Sequence, residues 1–284
     1  MTFTRLFSLQ MKDIFKRKTT QIVFLFSIAY FLLGVAVDFV KLYHKDVIQL
    51  FPGWYYMDLI GMSSGEYITQ FFVIMYLLFF MAFLTPLIYS DCYFNSKKNG
   101  FINVLMTRTT RKNYFLSSGL SVFVSSFLVV FIPLCMIQLL FWTALPDSLI
   151  GPVTFSYAFR ELDSPFHYRA YFPGLAANHT YLFNIFMSFL IAFTGALLAE
   201  LSFSISLYWK RSKFLILTFL GFLNLIAFII PTSNQFPHTL LDYLLPGRSG
   251  NGATLQQLGI FLLVLIGLSA IAIFGKIKFV KDEL

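Results

Sequence analysis

Six apolar runs govern what this chain can fold into: Ile22–Val40, Ile68–Ser90, Phe115–Trp142, Tyr181–Tyr208, Phe214–Pro231 and Gln257–Gly275. Crossing roughly 30 Å of hydrocarbon takes about 20 residues in a helix, and each run approaches or exceeds that length. In lipid every backbone N–H and C=O must be satisfied within the segment, so helices rather than isolated strands are expected. Hydrophobic residues make up 58% of the 284, above the roughly 45–50% of soluble domains. A soluble fold would strand these blocks in water. The expectation is an all-α membrane protein with six transmembrane helices in one domain spanning residues 1–284. The third and fourth runs exceed a single crossing and must tilt or extend past the membrane.

Lys and Arg decide orientation. Residues 1–21 carry Arg5, Lys12, Lys16, Arg17 and Lys18; residues 91–114 carry Lys97, Lys98, Arg108, Arg111 and Lys112. Lys210, Arg211 and Lys213 lie between the fourth and fifth runs, and Lys276, Lys278 and Lys281 follow the sixth. The alternating loops hold only Lys41, Lys45, Arg160, Arg169 and Arg248. Both termini are therefore expected in the cytoplasm. The net charge of +8 is read as this topology signal, with membrane lipid as a partner and no nucleic acid.

Three features point elsewhere. The chain ends Lys281-Asp282-Glu283-Leu284, an address read in the lumen of the endoplasmic reticulum. The charge count puts that tail on the opposite side. Asn178-His179-Thr180 matches a glycosylation sequon, a triplet common by chance. A signal peptide would need a shorter apolar block and a clear cleavage site, so the first run reads as a retained span.

Residues 1–18 carry Phe3, Leu6, Phe7, Met11, Ile14 and Phe15 on one half of a helical wheel, opposite Arg5, Ser8, Lys12, Asp13 and Lys16. This predicts an interfacial amphipathic helix. Before the last run, His238–Leu245 is apolar but too short to cross. Pro237 and Pro246-Gly247 bracket it, so a short re-entrant helix is expected.

Polar groups within the runs are few. Glu200 reads as the one carboxylate well inside a span, a candidate functional group that could alternatively be neutral or paired, through Asn224. Gly195, Ala196 and Ala199 predict a close helix approach, and Gln138 and Asn184 predict interhelical hydrogen bonds. Pro86 and Pro133 predict kinks. The four histidines fall in the loops without metal-ligand spacing, and no nucleophile elbow or phosphate-binding glycine loop occurs. No catalytic, metal or cofactor site is assigned.

Between the second and third runs stands "KKNGFINVLMTRTTRKNYFLSSG". Gly100 breaks the preceding helix, and Phe101, Val104 and Leu105 recur at i, i+3 and i+4 along one face of a short helix. Arg108, Arg111 and Lys112 follow at the membrane edge. This order resembles the first cytoplasmic loop of ABC-2 type transporter permeases. Gly100, Leu105, Thr107, Arg111 and Gly119 match that pattern, whereas Lys97 and Lys98 replace its usual acids and Leu120 its usual Lys. The resemblance implies that loop 91–114 carries a cytoplasmic coupling helix seated in a separate ATP-binding subunit, with Gly100, Phe101, Val104, Leu105, Arg108 and Arg111 at the contact. It implies a bacterial cell-membrane exporter that pairs with a second permease copy or a paralogue, with ATP bound on the partner. Peptides, antimicrobials or other amphipathic molecules are the expected cargo. The alternative is a membrane-embedded enzyme or small-molecule binder using Glu200.

Overall fold

A computed structural model describes residues 2–43, 68–100, 108–145, 171–172, 175, 179–209, 213–229, 239–245 and 253–278. These form helices with no strand among them: α1 (Phe3–Lys16), α2 (Lys18–Leu42), α3 (Ile68–Met75), a π-helical segment (Tyr76–Phe80), α4 (Met81–Leu87), α5 (Cys92–Lys98), α6 (Arg111–Ala144), α7 (Thr180–Ser206), α8 (Lys213–Ile229), α9 (Leu240–Leu244) and α10 (Leu255–Lys278).

Among the described residues, five helical runs are long and apolar enough to cross a membrane: Lys18–Leu42, Ile68–Lys98, Arg111–Ala144, Tyr181–Ser206 and Leu255–Lys278. They fit a multi-pass membrane protein. The sequence predicted six. The difference lies in α8, whose 17 described residues rise only about 26 Å. α6 goes the other way. Its 34 residues, about 51 Å long, continue through Pro133 and extend well beyond one hydrocarbon thickness.

α7 sits at the centre, packed against α6, α10, α4 and α8. Its small residues make this possible. Ala196 and Ala199 are fully buried, and a Cβ on Gly195 would lie 3.2 Å from Thr85 Cγ2 of α4. Gln138 Nε2 of α6 donates to Ser188 Oγ of α7 at 3.2 Å, one of the expected interhelical bonds. α2 and α10 each keep an open face. They turn Leu25, Leu33 and Val40, and Leu263, Val264 and Ile271, outward, as lipid-facing helices must.

The second span is the irregular one. The Met81 N–H reaches back five residues to the Tyr76 carbonyl, and α4 ends one residue after Pro86, which has no N–H to give. A π-turn displaces the carbonyl ladder. Across it, Asn224 Nδ2 of α8 donates to Leu78 O at 2.6 Å. Asn224 therefore braces the π-segment and does not pair with Glu200, as the sequence reading had allowed.

The bundle has two distinct ends. One gathers α1, the start of α2, α5, the start of α6 and the last turns of α7 and α10; its described Lys and Arg residues give it a basic character. At the other end, Asp38 of α2 accepts from the Ile68 and Thr69 N–H groups, both at 2.8 Å. A carboxylate at a helix N-terminus meets unsatisfied donors and the positive end of the helix dipole. Asp38 is fully buried. It is a buried carboxylate near the end of a span, four residues before Leu42 closes α2. The short helix α9 lies at this same end. Thr239 and Asp242 form a reciprocal capping box, the Tyr171 hydroxyl donates to the Tyr243 carbonyl, and the Tyr243 ring stacks on Phe261 of α10 at 4.4 Å.

Candidate functional site

The candidate site is the basic end, where the chain leaves the bundle after α5 and returns at α6. α5 closes on Gly100, whose φ of +68° lies in the left-handed region that ends helices and favours glycine. Its N–H bonds to Lys97 O at 3.2 Å. Among the described residues, no atom beyond its chain neighbours lies within 4 Å of a Cβ placed there, and the left-handed backbone is what favours glycine. The chain re-enters through Arg108 and Thr110, which caps α6 by accepting from the Asn113 N–H at 3.3 Å. Arg111 opens α6. Phe101, Val104 and Leu105 lie outside the described residues.

What holds these exit points is α1. The helix forms as expected but is bolted to the bundle. Leu6, Gln10 and Ile14, at i, i+4 and i+8, are its buried line. Gln10 Nε2 donates to Ser118 Oγ at 2.7 Å, and Ser121 Oγ donates to Gln10 Oε1 at 3.2 Å. Both serines are on α6 within three turns of its start. Phe15, placed on the apolar stripe by the wheel, is 49% exposed. The stripe lies astride the buried line rather than on it.

The α1–α2 junction is tied to the end of the second span. Arg17 Nη1 donates to Asp91 Oδ1 at 3.0 Å, and Asn95 Nδ2 donates to Asp91 Oδ2 at 2.7 Å. The Arg17 guanidinium lies 5.0 Å above the Tyr89 ring, and the Tyr89 hydroxyl donates to Asp13 Oδ2 at 3.3 Å. Thr20 Oγ1 adds a bond to the Ile88 carbonyl at 3.2 Å. Burial works against the Arg17 charge, but the Asp91 carboxylate and its hydrogen bond outweigh that and hold the guanidinium above its usual pKa. Asp91 is buried with both oxygens engaged.

Glu200 lies apart from this cluster, where α6, α7 and α10 meet. Its Oε1 is 3.6 Å from the position a Cβ on Gly119 would take, with Ile273 and Phe203 alongside. Ser204 Oγ bonds the Glu200 carbonyl at 2.9 Å. Gly119 leaves room for the carboxylate beside α6. Asp38 caps α3 at the opposite end, so the two carboxylates form no dyad.

No protein-family model, curated protein or solved structure matches this chain.

Of the residues singled out in the sequence, the structure puts Gly100, Arg108 and Arg111 around one loop mouth. Glu200 and Asn224 belong to separate helix contacts. Sequence reasoning missed Gln10, the Arg17–Asp91 pair and Asp38. Signals for two of them were present. Ser117, Ser118, Ser121, Ser125 and Ser126 make a polar seam on α6 that calls for a polar partner. Asp38 sits within an apolar run, the same warrant that drew attention to Glu200. Pairing Arg17 with Asp91 needs the tertiary fold.

Proposed function

We propose that the chain is the membrane-spanning permease subunit of an ATP-driven ABC exporter, with the basic end in the cytoplasm and loop 101–107 gripped by a separate ATP-binding subunit. The observation that carries this reading is the bracing of the loop mouth. Gly100 follows α5, which Asn95 and Asp91 tie to Arg17. Arg111 begins α6, which Ser118 and Ser121 tie to Gln10. A push on the loop therefore reaches α6, α1 and the second span together, and a loop held at both feet works as a lever.

In this proposal α8 makes the sixth crossing, its neighbours thinning or tilting to suit its length, and α9 is a re-entrant element on the outer side. Two copies, or one copy and a paralogue, enclose the path. ATP binds on the partner, and the cargo is a peptide, an antimicrobial or another amphipathic molecule. ATP acts here by binding more tightly to one of two arrangements of the partner, which gives the lever its two states. The Lys and Arg bias supports the orientation.

The test is co-purification from membranes. An ATP-hydrolysing protein accompanies the wild-type chain and is lost on Leu105→Asp, which puts a charge on the apolar face, while Leu263→Asn on the outward face of α10 leaves it bound. An unchanged complex with Leu105→Asp overturns the reading. The second reading, a small-molecule binder or enzyme, rests on the Glu200 carboxylate at the three-helix junction. It requires Glu200→Gln to abolish function with the complex intact.

A further inference from the structure

An open cleft of about 430 Å³ lies at the basic end between α5 and the last turn of α7, lined by Tyr93, Phe94, Lys97, Lys98, Ser206 and Trp209, with Leu207 at its back. It lies beside the loop mouth, and the proposed export function does not use it. Among the described residues, no acidic side chain lines it. Two lysines close α5 and are exposed, and Trp209, 46% exposed, follows the end of α7. A third cation stands close by: Lys276 Nζ of α10 lies 5.7 Å from the Tyr93 ring centre and 6.0 Å from that of Tyr208. The Tyr208 hydroxyl donates to the Ala272 carbonyl at 2.7 Å, which fixes the end of α7 against α10.

We infer that this cleft binds the headgroup of an anionic phospholipid from the leaflet at the basic end. Lys97 and Lys98 meet the phosphate, Trp209 and Tyr93 flank the glycerol region, and the acyl chains extend from the cleft into the leaflet. Three features favour this occupant over a soluble one. The cleft is at the terminus of two apolar spans, where basic pockets meet headgroups. Its aromatic rim is of the kind that settles at the membrane interface. Its volume of about 430 Å³ takes a glycerophosphate group.

Trp209 supplies the probe. With Trp54→Phe and Trp142→Phe, Trp209 is the remaining tryptophan of the three in the chain. The full chain is placed in bilayers containing brominated phosphatidylglycerol or brominated phosphatidylcholine, and quenching gives the relative affinity of the two lipids. The expected result is a clear preference for phosphatidylglycerol that falls about fivefold for each lysine changed to glutamine and returns with Lys97→Arg plus Lys98→Arg. Equal quenching by the two lipids overturns the inference, as does a preference that survives Lys97→Gln plus Lys98→Gln. Full displacement by soluble glycerol phosphate would assign the cleft to a free phosphate ester and overturn it too. Retention of phosphatidylglycerol over phosphatidylcholine by the unmodified protein in native mass spectrometry repeats the test without the tryptophan substitutions.

Discussion

Asp38 shows how a single side chain can stand in for a missing helix turn. α3 begins at Ile68, and its first N–H groups have no carbonyl before them. Asp38, thirty residues earlier in the chain, supplies both acceptors from the neighbouring span. The arrangement fixes the relative height of the first two spans at the end opposite the loop mouth. Asp38→Ala orphans two N–H groups, one buried and one half-buried, and is expected to destabilise the bundle by about 2 kcal/mol. Asp38→Asn keeps one acceptor oxygen but presents an amide to the second N–H, and its loss is expected to be about half as large. Unfolding by sodium dodecyl sulfate from mild detergent measures both, and the order wild type, Asn, Ala is the outcome to check. An equal loss for both variants would mean that charge, rather than acceptor count, sets the contribution.

Among the elements, α1 carries the most consequence. Periodicity predicts an amphipathic helix over residues 1–18, and the structure has a helix over Phe3–Lys16. Periodicity could not show what it packs against. A wheel sorts residues by polarity, and by that measure Gln10 belongs with neither half, yet it lies at the middle of the buried line. The reason is chemical: a helix docking on a serine-rich seam needs a partner with both a donor and an acceptor, and glutamine has both. Gln10→Ala is expected to cost about 1 kcal/mol and to make α1 more readily cleaved by added protease, with the spans left folded. The Arg17–Asp91 pair is the stronger tie. Asp91→Ala leaves a largely enclosed guanidinium and Asn95 without their acceptor. The expected cost is about 2 kcal/mol, toward the low end for a buried pair because the Arg17 side chain keeps a quarter of its surface in contact with solvent. A double-mutant cycle with Arg17→Ala measures the coupling.

At the scale of the whole molecule, the apolar blocks were legible because crossing a membrane imposes length, and length can be read directly. The helix positions of the two longest runs, Phe115–Trp142 and Tyr181–Tyr208, correspond to α6 and α7 within a few residues. Internal irregularity was less legible. Nothing in Tyr76–Phe80 distinguishes a π-turn from an ordinary one, because the difference lies in where a carbonyl bonds and in Asn224 arriving from another helix. The count of spans differed at Phe214–Pro231, where the described helix covers Lys213–Ile229, 17 residues and short of a full crossing. Of the candidate site, the break at Gly100 and the flanking arginines were readable from local chemistry. The bracing by Gln10, Arg17 and Asp91 was not, since it joins residues 74 and 108 positions apart.

The account turns on whether another protein grips loop 101–107 from the inside. A photo-reactive amino acid in place of Val104, activated in intact cells, reads this directly. One dominant adduct between this chain and an ATP-binding protein is expected, its yield changing when ATP is depleted. Adducts with lipid alone, or labelling of position 104 by a reagent that cannot enter the cell, would contradict it.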